Sequence, residues 1–296
     1  MKKAIIVLIW LALSYGVAFG QAECPKSFRF VFMTDIHVQP ERHAAEGLQK
    51  AIRCVNREHP DFVVTGGDLV YDALGVRYSR ADSLYNIYSS AMKGLQMPLW
   101  NTIGNHEHFG VYRRSGPDTL HPMRGTRLFE DRIGKPYQSF THKGWKFFLL
   151  NSVRINGNRT YSGFIDPVQT EWIKSELSET DSATPIIIVT HIPLRTVFPQ
   201  VTDSARAPCG PLDVISNANA VLRLFTEHNL KLVLQGHMHY REEIFVENIW
   251  FVTGGSVAAA WWTGPYRGVP EGYLVVRTKK DQVSWKYKPY GWTALK

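Results

Sequence analysis

The 296-residue chain lacks the sequence features of several protein classes. It has only three cysteines, at positions 24, 54 and 209, and their separations do not match the short spacings of thiolate metal sites. It contains no internal repeat, no low-complexity segment and no lysine–arginine run long enough to predict a nucleic-acid groove. Charged residues make up 20% of the chain and apolar residues 44%, which is typical of a globular protein. We therefore predict a folded domain that does not bind nucleic acid.

The N-terminus carries the pattern of a secretory signal peptide. Two lysines precede an apolar run over residues 4–13, and residues 18–20 (Ala-Phe-Gly) form a small-x-small cleavage pattern. We predict a signal peptide over residues 1–20 and a secreted or periplasmic protein, although cleavage after Ala22 fits nearly as well. The alternative is an uncleaved membrane anchor, but the apolar run is short for a spanning helix. After cleavage we expect no stable membrane insertion.

Residues 21–296 are predicted to form one domain of α/β class that ends in a β-rich tail, at about residues 241–296. The first half alternates strand and helix, a pattern in which consecutive strands are parallel. A hairpin at 137–152 indicates that a second sheet begins there. Predicted strands cover residues 28–34, 62–65, 99–103, 137–141, 145–152, 185–190, 230–234, 241–246, 250–253, 273–278 and 282–287, and predicted helices cover residues 42–58, 78–95, 167–177 and 217–228. Cys24 and Cys209 could pair as a disulfide in an oxidising compartment.

Side chains of metal-binding type follow five of the predicted strands, at the point where each strand ends. They are Asp35 and His37, then Asp68, then Asn105 with His106 and Glu107, then His191, and finally His237 with His239. Because the carboxyl ends of parallel strands share one edge of a sheet, we expect these side chains to converge. Oxygen and imidazole ligands without thiolate favour Mn, Fe or Zn, and their number exceeds what one tetrahedral site needs. The sequence therefore predicts two metal ions that share a carboxylate and could hold a bridging hydroxide for in-line attack on a phosphoryl group.

These motifs, in this order between residues 30 and 240, resemble those of the calcineurin-like metallophosphoesterase superfamily. The tail segment 261–273 is similar to the C-terminal part of secreted bacterial members. The resemblance implies a four-layer fold with two packed mixed β-sheets flanked by helices. It implies that the first metal is held by Asp35, His37 and His239, the second by Asn105, His191 and His237, and that Asp68 bridges them. It also implies that His106 is the catalytic residue at the leaving-group oxygen, with Glu107 behind the ligands.

One position departs from the family pattern. Many relatives carry an acid three residues after the bridging aspartate, where it orients the catalytic histidine, but this chain has Tyr71 there and Asp72 next. The tyrosine resembles the iron ligand of purple acid phosphatases, which have glycine in place of His37. Since His37 is present, we do not assign Tyr71 as a ligand, and Asp72 is only a candidate for orienting His106.

The predicted function is dinuclear metal-dependent hydrolysis of a phosphate ester, either a monoester or a diester, carried by a small phosphorylated substrate. Specificity is expected from Tyr112, Arg113, Arg195, Trp261, Trp262 and their neighbours. The aromatic loop at 261–266 is either a packed loop or a wall of the substrate pocket. The alternatives are a nuclease of the same superfamily, which the signal segment disfavours, and a non-catalytic metal- or glycan-binding surface module, which would have lost a ligand or His106. The sequence does not determine the oligomeric state.

Overall fold

A computed structural model describes residues 26–294, without the side chains of residues 117–119. The predicted signal peptide and Cys24 of the predicted cysteine pair lie outside this range, so both remain predictions. Among residues 26–294, no helix is both long enough and apolar enough to cross a membrane.

Thirteen strands and six α-helices make up the described part of the chain. The strands are β1 (Phe28–Met33), β2 (Phe62–Thr65), β3 (Leu99–Trp100), β4 (Gln138–His142), β5 (Trp145–Leu149), β6 (Val153–Ile155), β7 (Tyr161–Gly163), β8 (Pro185–Val189), β9 (Asn229–Gln235), β10 (Arg241–Val246), β11 (Ile249–Gly254), β12 (Gly272–Lys279) and β13 (Gln282–Pro289). The helices are α1 (Ala44–Arg57), α2 (Tyr78–Met92), α3 (Arg127–Arg132), α4 (Pro167–Ser178), α5 (Phe198–Thr202) and α6 (Ala218–Arg223). A 3₁₀ segment covers Arg113–Leu120. Asp166 caps α4 by accepting a bond from the backbone N–H of Gln169.

The strands form two mixed sheets and a small hairpin. The first sheet has the order β13-β12-β1-β2-β3, in which β1, β2 and β3 are parallel and β12 and β13 are antiparallel neighbours. The second has the order β10-β11-β9-β8-β5-β4, with parallel pairing from β5 through β8 and β9 to β11. Strands β6 and β7 pair with each other.

The two-residue period of the strands separates the core into layers. Phe30 and Phe32 of β1 pack between the sheets, whereas Val31 and Met33 join the cluster that α1 and α2 cover. In β8 the isoleucines divide in the same way, since Ile187 packs between the sheets and its neighbours belong to the cluster covered by α4 and α6. This arrangement of helix, sheet, sheet and helix layers confirms the predicted fold class.

Several predicted elements are shorter in the structure, and hydrogen bonds explain where two of them end. Strand β3 ends at Trp100 instead of residue 103. After Trp100, bonds to the Thr65 hydroxyl replace backbone pairing with β2, because this hydroxyl donates to Asn101 Oδ1 and accepts from the Thr102 N–H. Helix α6 ends at Arg223, where three-residue hydrogen bonds such as Phe225 N–H to Leu222 carbonyl tighten the chain into turns.

Candidate metal centre

The seven predicted ligands meet at the carboxyl ends of parallel strands from both sheets. Six of them are buried and His237 is partly exposed. Ligand atoms from Asp35, His37 and His239 lie within 4.8 Å of one another, as do those from Asp68, His191 and His237. The Asn105 Oδ1 lies 3.0 Å from Nε2 of His191. The structure thus brings together the two sets of residues that the sequence predicts as separate metal sites.

Asp68 lies between the two sets. Its Oδ2 is 3.5 Å from Nε2 of His37 and 3.2 Å from Nε2 of His191, which belong to different sets. Its other oxygen, Oδ1, accepts a 3.0 Å bond from the backbone N–H of His106. One carboxylate oxygen is therefore positioned to contact two cations, while the other fixes the side chain to the neighbouring loop.

The chemistry of the donor atoms fits bound cations. The Nδ1–H groups of His191 and His239 donate to the carbonyls of Gly66 and Ala259, so the Nε2 lone pairs of both rings face the cluster. The Nε2 of His239 lies 2.9 Å from that of His37 and 3.3 Å from Oδ1 of Asp35. Lone pairs that converge at such distances need a proton or a metal ion between them. The two metal ions that the sequence predicts would satisfy all of these groups at once.

Without a bound cation, protons satisfy part of the cluster. Burial lowers the pKa of His191, but the Asp68 carboxylate outweighs burial and raises the pKa to about 9. Burial and the neighbouring His191 lower the pKa of His237 to about 4. The pKa of Asp68 lies well below its usual range, because the His191 and His106 rings offset the effect of burial. A metal ion at this site would therefore replace the proton on His191.

The backbone at the ligands is strained. Five of the seven have left-handed φ angles, namely Asp35 (54°), His37 (45°), Asp68 (52°), His237 (73°) and His239 (52°). Each such non-glycine residue costs about 1 kcal/mol or more, and residues of this kind cluster at functional sites because the surroundings hold them there. The strain allows alternate residues of one short segment, such as Asp35 and His37, to point at the same centre.

Two glycines let the segments approach closely. A Cβ at Gly104 would lie 2.3 Å from Oδ1 of Asp68, and one at Gly236 would lie 2.8 Å from Oδ2 of Asp35. Any side chain at these positions would displace a carboxylate. Glycine before the ligand segments is therefore a requirement of the site's geometry.

His106 stands at the opening of the site and is oriented by backbone. Its side chain is 25% exposed, its Nε2 lies 3.8 Å from Oδ2 of Asp68, and its Nδ1 bonds to the carbonyl of Tyr71. Asp72 does not fill the orienting role for which it was a candidate. Its carboxylate instead pairs with Arg114 at 2.6 Å and accepts from the backbone N–H of Gly75. Tyr71 thus contributes through its main chain, while its ring lies 6.5 Å from that of His37.

Glu107 binds backbone groups beneath the ligands. Its two carboxylate oxygens accept four bonds, from the N–H groups of Asp68 (2.9 Å), Leu69 (2.7 Å), Val70 (3.1 Å) and Gly104 (2.7 Å). The side chain is fully buried. Glu107 therefore joins the segment that carries Asp68 to the segment that carries Asn105 and His106.

The remaining candidates divide into residues near the site and residues away from it. The Trp261 ring lies 4.4 Å from the His239 ring. Trp262 is 1% exposed and supports the site from beneath, since its indole N–H donates to the carbonyls of Ile36 and His37. The Arg195 guanidinium bonds to Asn219 and to the Leu194 carbonyl, and its predicted contact with substrate stays a prediction.

Sequence reasoning missed several residues that support or border the site. Thr34 donates a 2.7 Å bond to Oδ2 of Asp35, and the Ser256 hydroxyl donates to the Asp35 carbonyl. The rings of Tyr161 and Tyr266 lie 6.4 Å from His237 and 5.9 Å from His239, respectively. Only Thr34 carries a usable signal, because it is a polar residue at the end of a buried apolar strand.

His108, two residues after His106, gives a prediction for the stability of the protein in acid. It is 1% exposed, donates from Nδ1 to the Gly104 carbonyl, and has a pKa that burial lowers to about 4. Between about pH 6.5 and about pH 4, His108 binds a proton in the unfolded chain but not in the folded protein. The free energy of unfolding therefore falls as the pH falls through this range. We expect wild type to lose about 2.5 kcal/mol more than His108→Asn between pH 7.5 and 4.5 in urea unfolding.

The matched control is His59→Asn, because His59 is exposed and water can solvate its ring in the folded protein. His59→Asn should lose as much stability on acidification as wild type does. Equal losses in wild type and His108→Asn would contradict the prediction.

Comparison with solved structures agrees with the fold. A dimetal phosphatase from Danio rerio superposes with a TM-score of 0.62 over 90% of this chain and 97% of that one, at 16% identity. GAP50, the anchor in the inner membrane complex of Plasmodium, superposes with a TM-score of 0.51 over 90% of this chain and 85% of that one, at 15% identity. At such identities the likeness concerns the fold alone.

Comparison of sequences gives the family. A probable cyclic nucleotide phosphodiesterase of Rhodopseudomonas palustris is 23% identical over 214 residues, which are 68% of this chain and 70% of that protein. The model of the calcineurin-like phosphoesterase family matches residues 28–241, which include all seven predicted ligand positions and His106. The chain belongs to the calcineurin-like phosphoesterase family and is a metallophosphoesterase.

Proposed function

We propose that this protein hydrolyses the phosphate ester of a small phosphorylated substrate by means of two metal ions, and that it acts outside the cytoplasm. The observation that carries the proposal is the position of Asp68, whose Oδ2 lies within 3.5 Å of histidines from two separate ligand sets. The formal net charge of +8 also suits a phosphate-bearing substrate.

The ligand assignment follows the two sets. Asp35, His37 and His239 would hold one metal, Asn105, His191 and His237 the other, and Asp68 would bridge them. When bound, the two ions supply Lewis-acid activation of water and neutralise charge on the phosphoryl oxygens. Mn, Fe and Zn all suit this set of oxygen and imidazole ligands.

His106 acts on the leaving group in this proposal. With its Nδ1 hydrogen donated to the Tyr71 carbonyl, its Nε2 can act as a donor only when the ring carries a second proton. The protonated ring would give its Nε2 proton to the leaving-group oxygen as the ester bond breaks. Its partial exposure at the opening of the site lets a substrate reach it.

A non-catalytic binding module and a nuclease would each be expected to carry different residues from those present in this chain. A non-catalytic binding module would have no need of His106 or of a complete ligand set, yet every position is filled. A nuclease would require a basic groove for a polynucleotide, and the chain has no long basic run. The named activity of the Rhodopseudomonas palustris relative supports testing diesters beside monoesters.

The test uses purified protein treated with chelator and then supplied with Mn, Fe, Zn or Mg. Hydrolysis of p-nitrophenyl phosphate and bis-p-nitrophenyl phosphate is followed side by side, with bound metal measured on the same samples. We expect turnover that depends on added metal, nearly two ions per chain, and a loss of about 10²–10⁴-fold in kcat for His106→Ala. Protein that binds no metal, or a His106→Ala variant with full activity, would overturn the proposal.

A further inference from the structure

A group of side chains beside the metal centre has no part in the proposed hydrolysis. We name it the aromatic wall, and its members are Phe198, Tyr240, Trp261, Tyr266 and Arg267. The Trp261 ring centre lies 4.4 Å from that of His239 and 6.0 Å from that of His37. The Tyr266 ring lies 5.9 Å from both His239 and Trp261. The wall therefore begins at the ligands of the first metal set and extends away from them.

Arg267 connects the inner and outer parts of the wall. Its guanidinium carbon lies 5.9 Å from the Tyr266 ring centre and 5.7 Å from that of Phe198, and Phe198 is 5.7 Å from Tyr240. Arg267 is exposed, and the aromatic members are partly exposed. Within residues 26–294, Arg267 forms no ion pair with a carboxylate. Its charge and N–H donors are therefore available to a ligand.

The loop that carries the inner wall is held in place by the metal-binding segments. The Trp262 indole bonds to the carbonyls of Ile36 and His37, and the His239 ring bonds to the carbonyl of Ala259. Left-handed φ angles between 42° and 70° occur at Ala259, Trp261, Trp262 and Arg267. Non-glycine residues keep such angles mainly where a fixed shape serves a site. The loop that carries Trp261, Tyr266 and Arg267 is thus fixed to the segments that carry the candidate ligands.

The two adjacent tryptophans of this loop have different environments. Trp262 is 1% exposed and its indole N–H has two acceptors, as expected for a tryptophan in a core. Trp261 is partly exposed, and its indole N–H bonds to no group among the described residues. A ring held at a fixed position, facing solvent beside the ligands, is suited to contact a substrate.

We propose that the aromatic wall binds the base of a nucleotide whose phosphate ester lies at the metal centre, an inference that rests on the proposed hydrolase function. Every nucleobase has a flat face that stacks on aromatic rings, and arginine N–H groups match the acceptors on base edges. A sugar phosphate or alkyl phosphate has no flat aromatic face that could stack on the wall. The wall is therefore expected to favour nucleotides over sugar and alkyl phosphates, with Trp261 as the principal contact.

The test compares two probes that differ only in the base, adenosine 5′-monophosphate (AMP) and ribose 5-phosphate. Each is measured as a competitive inhibitor of p-nitrophenyl ester hydrolysis by the manganese-loaded protein, and its binding is measured by calorimetry. We expect AMP to bind about 5- to 150-fold more tightly than ribose 5-phosphate. Trp261→Ala should weaken the binding of AMP to the level of ribose 5-phosphate and leave the affinity for ribose 5-phosphate unchanged. Trp261→Phe should keep most of the preference for AMP.

Trp250 supplies the control, because it is a partly exposed tryptophan that contacts Phe245 and Trp285 and no ligand. Trp250→Ala should change neither inhibition constant. Equal affinities for the two probes in wild type, or an equal loss of both in Trp261→Ala, would overturn the inference while leaving the hydrolase intact. If the proposed function were wrong, the protein would not hydrolyse the p-nitrophenyl esters. Calorimetry would then still compare the affinities for the two probes.

Discussion

Asp68→Asn should lower hydrolysis of the preferred p-nitrophenyl ester by at least about a thousandfold. The substitution keeps an oxygen that can accept the His106 backbone N–H, so the loop is expected to stay in place. It removes the negative charge that lies within 3.5 Å of His37 and His191. Both ligand sets lose that charge together, so we expect fewer than two bound metals per chain. Activity and metal content are measured on the same preparation.

Asp72→Asn is the matched control for Asp68→Asn. Asp72 lies four residues further along the same segment, but its carboxylate pairs with Arg114, whose side chain is 63% exposed, and does not contact His106. Asparagine keeps the acceptor for the Gly75 N–H. We expect activity within about twofold of wild type, since a largely exposed ion pair contributes little. Full activity in Asp68→Asn, or a large loss in Asp72→Asn, would contradict the assignment of their roles.

The grouping of the candidate ligands was predictable because each of them lies at the end of a strand. A buried apolar strand followed at once by Asp35 or by Gly67 and Asp68 can be recognised in the sequence, and parallel pairing then brings such ends together. The sequence did not show that both sheets contribute to the site. That depends on the packing of Phe30 and Phe32 against the second sheet, which is a long-range contact.

The partners of the ligands were not predictable in the same way. His106 is oriented by a backbone carbonyl, and every residue has a carbonyl, so no residue type marks the position. Trp261 and Trp262 are neighbours in a loop with left-handed φ angles. In such a loop neither the two-residue period of a strand nor the 3.6-residue period of a helix predicts which side chain is buried. Arg195 was predicted as a substrate residue because it lies in the long segment 194–213, and a loop of this kind gives no pattern from which its bond to Asn219 could be foreseen.

Glu107→Gln should destabilise the protein and reduce its activity. The two oxygens of Glu107 accept four backbone N–H bonds, two at each oxygen. A glutamine amide replaces one oxygen with an N–H₂ group, so two buried backbone donors lose their acceptor whichever way the amide is oriented. Each such loss costs about 1–3 kcal/mol, and we expect a decrease of about 2–6 kcal/mol in the free energy of unfolding.

The change in activity follows from which segments Glu107 joins. Among its partners, Leu69 directly follows Asp68, and Gly104 directly precedes Asn105 and His106. The position of Asp68 relative to Asn105 and His106 therefore depends on the Glu107 carboxylate. Loss of support behind metal ligands typically weakens metal binding or activity by about 10- to 100-fold. Glu130→Gln is the control, since Glu130 is exposed and, among residues 26–294, its carboxylate accepts a bond from the Thr126 hydroxyl alone. It should change stability by less than about 0.5 kcal/mol. Urea unfolding and metal titration of both variants separate the two effects. A Glu107→Gln protein as stable as the Glu130→Gln control would show that the four bonds do not hold the catalytic segments together.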